Sequence, residues 1–493
     1  MKGALSRRLG VAMCSGCLSK MVEIDRLKRE VGKRDKRIAA LEAKLGRQAR
    51  TQAERPFGDS TPSSKEPFKA NAPEEDRKKR GGARVGHCGH GRSVPPPTGE
   101  PEPLAAPLVC PGCGAPTESH KVEERHVRDH IPERIVDRTI LVETRRCRAC
   151  AGSFEAEVPG VLPRRKYTNQ FLADAAAEHY LAGRTQGDVC SRFGIGAGAF
   201  NGAMQWIAEL LRPCMDQLVL RFLAAPVRFS DETGHREDGA GCYSWLLSSA
   251  DASIFQVGKS RAGAVVLDLL APSLEGVARL AGVLVVDRYV AYGPLPFHLQ
   301  YCFAHLLRDV QALAKDFPEV PEVQVFCAAL ASQLAAAMRL HCRPLPDDLY
   351  YPQATAAKSE IIRICTAQAR HPGVQAIQTI FRENSHRLYH WADDRRVPAD
   401  NNYSERSIRP LVIARKISFG TQSERGSATR SVIMSVLHTL RKQGDSPAEK
   451  LREALDLHAR DPGTDIAAFL FPARPPQPQL RCGPATVPTL LPR

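Results

Sequence analysis

Long uncharged apolar runs are scarce in this sequence of 493 residues. A membrane-spanning helix needs about 18 or more such residues in a row, whereas stretches such as Gly282 to Val286 have only strand length. No secretory leader is legible. Lys2, Arg7 and Arg8 supply N-terminal charge, but Gly10 to Cys17 is too short and too polar for the apolar part of a signal peptide. The expectation is therefore a cytoplasmic protein with no membrane-spanning segment. No internal repeat is visible. Acid is in short supply relative to base: 54 Asp and Glu against 69 Lys and Arg leave a net charge of +15. With 43% hydrophobic and 25% charged residues, collagen, wholesale disorder and a small disulfide scaffold are excluded. The length suggests roughly three domains. The surplus of base suggests a polyanionic partner, either nucleic acid or an anionic membrane.

Six of the 15 cysteines fall in three C-x-x-C pairs, which in a reducing compartment read as metal ligands before disulfides. Cys110-Pro-Gly-Cys113 and Cys147-Arg-Ala-Cys150 are separated by 33 residues, and His126 to Val142 between them alternates apolar and charged positions like a hairpin. Two such turns on one tetrahedral ion make a zinc ribbon or a treble-clef-like knuckle over residues 108–160, with Zn²⁺ supplying folding energy to a small core. Cys14 and Cys17 lack two clear partners, and His87, Cys88 and His90 are candidates to complete a second site.

Residues 1–50 combine a basic N-terminus with Ile24, Leu27, Val31, Arg34, Ile38, Leu41 and Leu45, spaced alternately by three and four. That pattern fits a dimerising coiled coil, hence a homo-oligomer, or a solitary amphipathic helix. Residues 51–107 read as a linker rich in Pro and Gly. Within it Arg77, Lys78, Lys79, Arg80, Arg84 and Arg92 occur with glycines and no acid, suiting either phosphate binding or a solvated basic linker. Residues 161–225 read as helical, and the spacing around Gly194-Ile195-Gly196 fits a helix–turn–helix as well as an ordinary packed hairpin. From 226 the texture changes to short strands, among them Val227 to Ser230, Tyr243 to Ser249, Ile254 to Val257 and Val283 to Val286. Residues 306–400 are again helical, 403–415 and 428–442 suggest two more helices, and 446–493 ends in a Pro-rich tail.

Three acids stand out by context. Asp231 and Asp287 each follow a strand directly, and Glu405 lies at a helix start in Asp400-Asn-Asn-Tyr-Ser-Glu405-Arg406-Ser-Ile-Arg409. Carboxylates at the ends of two neighbouring buried strands are held rigidly at one sheet edge. A third from a crossing helix completes an oxygen cage for two divalent ions, which can activate a nucleophile and stabilise the leaving oxygen of a phosphodiester. Oxygen-only ligands select Mg²⁺ or Mn²⁺.

The segments Phe229-Ser-Asp-Glu-Thr233, Val285-Val-Asp-Arg-Tyr-Val-Ala-Tyr292 and Asp400 to Pro410 resemble the catalytic blocks of the insertion sequence 66 family of bacterial DDE transposases, as do Arg415-Lys416, Phe419 and the order of the N-terminal segments. The resemblance spans roughly residues 20–445. It implies an α/β, RNase H-like catalytic domain over 226–445 with an all-helical insertion, and a DNA transposase that cleaves transposon ends and joins them to target DNA. Asp231, Asp287 and Glu405 would then be catalytic ligands for two Mg²⁺ or Mn²⁺ ions. Arg406, Arg409, Arg415 and Lys416 would contact end phosphates, and Cys302 and His305 would sit near the site. Accessory proteins encoded alongside are implied as well. Arg288 departs from the family, which has a small residue there. The competing readings are a DNA-binding protein whose catalytic domain is inert, and a nuclease of the same fold that does not join strands.

Overall fold

The computed structural model describes residues 99–131, 134–162, 165–273 and 280–472, together with positions 23, 24, 27, 28, 31 and 96. The chain divides into two compact units, Met1–Ser64 and Lys65–Arg493. In the first, Ile24, Leu27 and Val31 of the heptad pattern are helical and about half exposed. Its remaining heptad positions lie outside the described residues, as do Cys14, Cys17, Arg77, Lys78, Lys79, Arg80, Arg84, His87, Cys88, His90 and the tail beyond 472.

The second unit opens with a small sheet. Strands β1 (Glu102–Leu104), β2 (Thr117–Ile131), β3 (Arg134–Cys147) and β4 (Ser153–Glu155) are organised by the long β2–β3 hairpin, with β1 parallel and β4 antiparallel to β3. The hairpin is longer than the alternation at His126 to Val142 indicates. It buries a core of its own, built from Ala106, Val127, Ile140, Val142, Ala156, Val158 and Val161.

Helices α1 (Asn169–Ala176, continued by a π turn at Ala177–Leu181), α2 (Gln186–Phe193), α3 (Ala197–Leu211) and α4 (Cys214–Ala224) come next. Thr168 and Thr185 cap α1 and α2 by accepting N–H bonds from Phe171 and Asp188. Gly194 ends α2 at φ 59°, and Val189, Phe193, Ile195 and Phe200 are buried around this corner. The α2–α3 pair is thus a packed helical hairpin.

The main sheet contains β5 (Val227–Glu237), β6 (Ala240–Ser249), β7 (Ser253–Gly258), then, after α5 (Ala264–Leu270), β8 (Val283–Val286) and β9 (His298–Tyr301), in the order β7-β6-β5-β8-β9. The first three are antiparallel, whereas β8 runs parallel to both β5 and β9. All four residues of β8, Val-Leu-Val-Val, are buried, as a parallel strand covered on both faces requires. Gly282 enters it at φ 82°, where a Cβ would lie 2.4 Å from the Pro226 carbonyl. Only glycine fits there.

Five helices then intervene: α6 (Phe303–Asp316), α7 (Pro321–His341), α8 (Asp347–Thr366), α9 (Pro372–Glu383) and α10 (His390–Asp393). Among the described residues α7 is the one helix long and apolar enough to cross a membrane, a stretch that the run-length reading passes over. Val323, Leu330, Leu334 and Ala337 of α7 are fully buried in the core, which suffices to explain its composition. The chain then returns to the sheet through α11 (Asn402–Ser418), α12 (Glu424–Lys442), α13 (Pro447–Arg460) and α14 (Ile466–Leu470).

Helix α12 is buried from Thr429 to Leu440 and closes the edge of the sheet with its hydroxyls. Ser435 and Thr439 accept the N–H groups of Phe255 and Ser253 on β7 at 2.9 and 3.0 Å, satisfying donors that an edge strand leaves open. One continuous core runs from Phe171 through the sheet and the inserted helices to Phe471. It joins the 161–225 helices to the sheet and extends past 445 into α13 and α14.

Candidate active site

Asp231 and Asp287 meet because of strand register. In the parallel β5–β8 pair, Phe229 lies opposite Val285, so two residues further along each strand the carboxylates stand at the same level. Neighbouring strands are about 4.8 Å apart. Asp231 accepts the N–H of Glu232, and Asp287 that of Tyr289, both at 2.9 Å. The Asp231 carboxyl is raised to about 7, by burial first and then by the negative charges of Glu232, Asp287 and Glu405. The charges of Asp287 and Glu405 thus both bear on Asp231.

Glu405 reaches this edge through Asn401. Asn401 is 1% exposed. Its side-chain amide donates to the Ser230 carbonyl at 3.1 Å, its backbone N–H donates to Cys302 Sγ at 3.1 Å, and its carbonyl accepts the Glu405 N–H at 3.1 Å. The first turn of α11 is thus tied to β5 beside Asp231 and to the β9–α6 junction. Glu405 also accepts from Arg308 of α6 at 3.4 Å.

Around the acids the other candidates separate by environment. Cys302 is completely buried, its thiol is pushed up to about 12 by that burial, and it serves as the acceptor that fixes Asn401. His305 is half-buried one turn into α6, with Nδ1 buried and without a hydrogen-bond partner. Arg406, Arg409 and Lys416 are exposed on α11. Arg415 differs from them: it is half-buried and donates to Thr233 Oγ1 at 3.1 Å and to the Gly234 carbonyl at 2.7 Å, fastening α11 along β5. Arg288 pairs with Asp309 on α6, so the large residue at this position has a partner of its own.

Sequence reading missed Asn401 and Asp400, although both stand in the block that contains Glu405. It also missed Glu232. That side chain is 3% exposed and paired with Arg261 at 2.6 Å, and it accepts the Tyr292 hydroxyl at 2.6 Å. These partners occupy Glu232 and leave Asp231 to face the other acids. A cavity of about 1050 Å³ lies elsewhere, lined by Glu123, Glu124, Glu155, Glu157 and Asp456 among others. Its carboxylates repel a phosphodiester.

The four cysteines of the small sheet come together at the open end of the β2–β3 hairpin, where Thr117 pairs with Cys147. All four Sγ atoms lie within 4.8 Å of one another, with Cys110–Cys150 at 3.8 Å and Cys113–Cys147 at 3.5 Å. A tetrahedral zinc with Zn–S bonds of about 2.3 Å has S···S edges of roughly 3.8 Å. The donor set and its spacing therefore fit one zinc ion, and the distances are far longer than an S–S bond. The two knuckles match in backbone form: Gly114 and Ala151, each four residues after the first cysteine of its pair, have φ 71° and 57° and donate to Cys110 and Cys147 carbonyls. Among the described residues this is the one group of three or more ligand side chains that is this tight. The three carboxylates lie more loosely.

The Transposase IS66 family profile matches residues 167–429, from the first helix of the large core through Asp231, Asp287 and Glu405 into α12. The chain belongs to that family. It is also similar to an uncharacterized protein, y4jD, of Sinorhizobium fredii, at 24% identity over 277 residues, 51% of this chain and 53% of that protein. The chain thus spans about half the length of the curated relative it matches.

Proposed function

We propose that this chain is a DNA transposase whose cleavage and joining steps are carried by Asp231, Asp287 and Glu405. The observation that carries the reading is the level register of Asp231 and Asp287 on adjacent parallel strands, with Glu405 delivered beside them by Asn401. The strand order β7-β6-β5-β8-β9, three antiparallel strands followed by two parallel ones, supports an RNase H-like domain with the α6–α10 helices as its insertion. Family membership supports DNA as the substrate.

The all-oxygen donor set fits Mg²⁺ or Mn²⁺. Two such ions, when bound, supply an activated nucleophile and charge neutralisation at the leaving oxygen. The chain's own residues hold that geometry. β5 and β8 fix the two aspartates, Asn401 fixes the turn that carries Glu405, and Arg308 balances the charge of Glu405. Arg406, Arg409 and Lys416 present cations for the DNA backbone along α11. Water attack at a transposon end frees a 3′-hydroxyl, and that hydroxyl attacks target DNA, both as in-line displacements at one site. Cys110, Cys113, Cys147 and Cys150 hold a structural zinc in this reading. The heptad helix contributes self-association, and the Arg77, Lys78, Lys79, Arg80 and Arg84 segment contributes further phosphate contacts.

The test is strand cleavage of a duplex bearing the inverted end that flanks the gene. Asp231→Asn, Asp287→Asn and Glu405→Gln should each abolish Mg²⁺-dependent cleavage while end binding persists. Cleavage surviving in any of the three variants removes that residue from the site. Cleavage without strand-transfer products would point to the nuclease reading, and binding without any cleavage by the parent to the inert-domain reading.

A further inference from the structure

Arg261 belongs to the loop that joins β7 to α5, and both its backbone and its side chain are fixed. The Ser260 carbonyl accepts from Trp245 Nε1 at 3.4 Å, and Ser260 Oγ accepts the Ala262 N–H at 3.0 Å. Gly263 lies so close to the turn at Val290–Tyr292 that a Cβ there would collide with the Ala291 carbonyl. The guanidinium is held by two further contacts. Its Nε and Nη2 donate to the same Glu232 carboxylate oxygen at 3.0 and 2.6 Å, and its central carbon lies 3.9 Å from the centre of the Tyr289 ring, a cation–π stack.

Neutralising the buried Glu232 occupies one edge of the guanidinium and leaves the other edge open. Nη1 makes no hydrogen bond among the described residues, and the side chain is 43% exposed. This open edge stands beside the two aspartates. Glu232 is the neighbour of Asp231 on β5, and Tyr289, whose ring carries the guanidinium, donates its N–H to Asp287. The charge of Asp287 acts on Arg261 in turn. Successive residues of a strand face opposite sides of the sheet. Phe229 shares the face of Asp231 and packs on Tyr403 of α11, with ring centres 4.7 Å apart, so α11 and its exposed cations lie on that side. Glu232 and Arg261 approach from the other. The acids thus have cations on both sides.

We infer that Arg261 is a substrate-binding residue: its open edge contacts a phosphate of the DNA strand beside the one that is cleaved. This rests on the transposase reading above. The planar fork of arginine matches the oxygens of a phosphate, and charge-assisted bonds of this kind are roughly twice as strong as neutral ones. An arginine on a free stem has to be ordered by the DNA. Arg261 is ordered beforehand by Glu232 and Tyr289, so binding has less entropy to overcome. A strand laid across the carboxylates meets Arg406 and Arg409 on one side and Arg261 on the other, which holds the cleaved phosphate in position between them.

The experiment uses the full-length protein and the flanking inverted end, in which methylphosphonates replace, one at a time, the phosphates around the cleaved one. A methylphosphonate keeps the shape of the group and removes its charge. In the parent, one substituted position should slow cleavage about tenfold. Arg261→Gln should cleave unmodified DNA about tenfold more slowly, and the same methylphosphonate should then cost nothing further. The double variant Glu232→Gln with Arg261→Gln removes the ion pair whole and leaves no buried charge unpaired, so it carries the comparison if the single variant does not fold. A parent that fails to cleave the unmodified duplex overturns the transposase reading itself. A parent that cleaves it with no position sensitive to the loss of charge overturns only the role of Arg261. So does a sensitive position that costs the same in the parent and in the Gln variants, since Arg261 then does no more than balance Glu232.

Discussion

At the scale of single residues, the site depends on one amide. Asn401 joins three elements through its side chain, its N–H and its carbonyl, and it touches none of the acids' carboxylates in the structure. Asn401→Ala should lower cleavage about 10²-fold by letting Glu405 drift by an ångström or so. It should cost about 1–3 kcal/mol of stability for the Ser230 carbonyl left buried and unpaired. End binding should stay within a factor of two or three, a margin typical of unrelated sites. Cleavage at the parental rate in a folded variant would show that Glu405 holds its place without this link. Asp231 and Asp287 were legible because each directly follows a short strand-forming run, although β5 does not stop at Ser230 but continues through Asp231 to Glu237. Asn401 was not, because its partner Ser230 is 171 positions away and no local pattern ties the two. Glu232 shows a second limit: beside Asp231 in sequence it is an equal acid, and only Arg261 and Tyr292, brought in from two other segments, decide which one faces the site.

At the scale of elements, the strands were the most readable part, since β8 coincides with the apolar run Val283 to Val286. The helices α1 to α4 were less so. Their boundaries depend on Pro213, on the αL turn at Gly194 and on a π turn at Ala177–Leu181, a rare form that the hydrophobic spacing does not signal. The small sheet has few buried apolar residues, and its knuckles converge only where the cysteines do. A metal clasp there should stabilise the element outright. Full-length protein should contain about one zinc per chain, and Cys147→Ser or exhaustive chelation should open residues 100–160 to limited proteolysis while α1 to α14 stay protected. A metal-free protein equally resistant in this segment would rule the clasp out. The coiled coil, by contrast, falls largely on residues outside the described ones.

At the scale of the whole molecule, the net charge of +15 is unevenly placed. Exposed cations run along α11 from the acid cluster, whereas the charged groups lining the cavity between the small sheet and α13 are five carboxylates against Arg125 and Arg460, so one region attracts a polyanion and the other disfavours it. The large core around α12 adds a pH limit. His179 is lowered to about 4, and His235 and His438 to about 3, in each case by burial first, with Arg430 or Arg441 adding to it. These imidazoles are neutral in the folded protein and protonate on unfolding below about pH 6.5. The unfolded state binds more protons in that range, so stability is full above about pH 6.5 and falls as pH drops towards 4. The unfolding temperature measured from pH 7.5 to 5 should decline with decreasing pH, less so in a His438→Gln variant; a flat profile would place these rings in contact with water.

The central claim is that Asp231, Asp287 and Glu405 are ligands of one divalent-metal site that cuts DNA. Replacing Asp231 by Cys tests it most directly, because a thiolate is a poor ligand for Mg²⁺ and a better one for softer ions. Asp231→Cys should cleave end DNA in neither metal-free buffer nor Mg²⁺ and should recover cleavage in Mn²⁺, while Asp231→Ala stays inactive in both. Equal cleavage by Asp231→Cys and the parent in Mg²⁺ would contradict the claim.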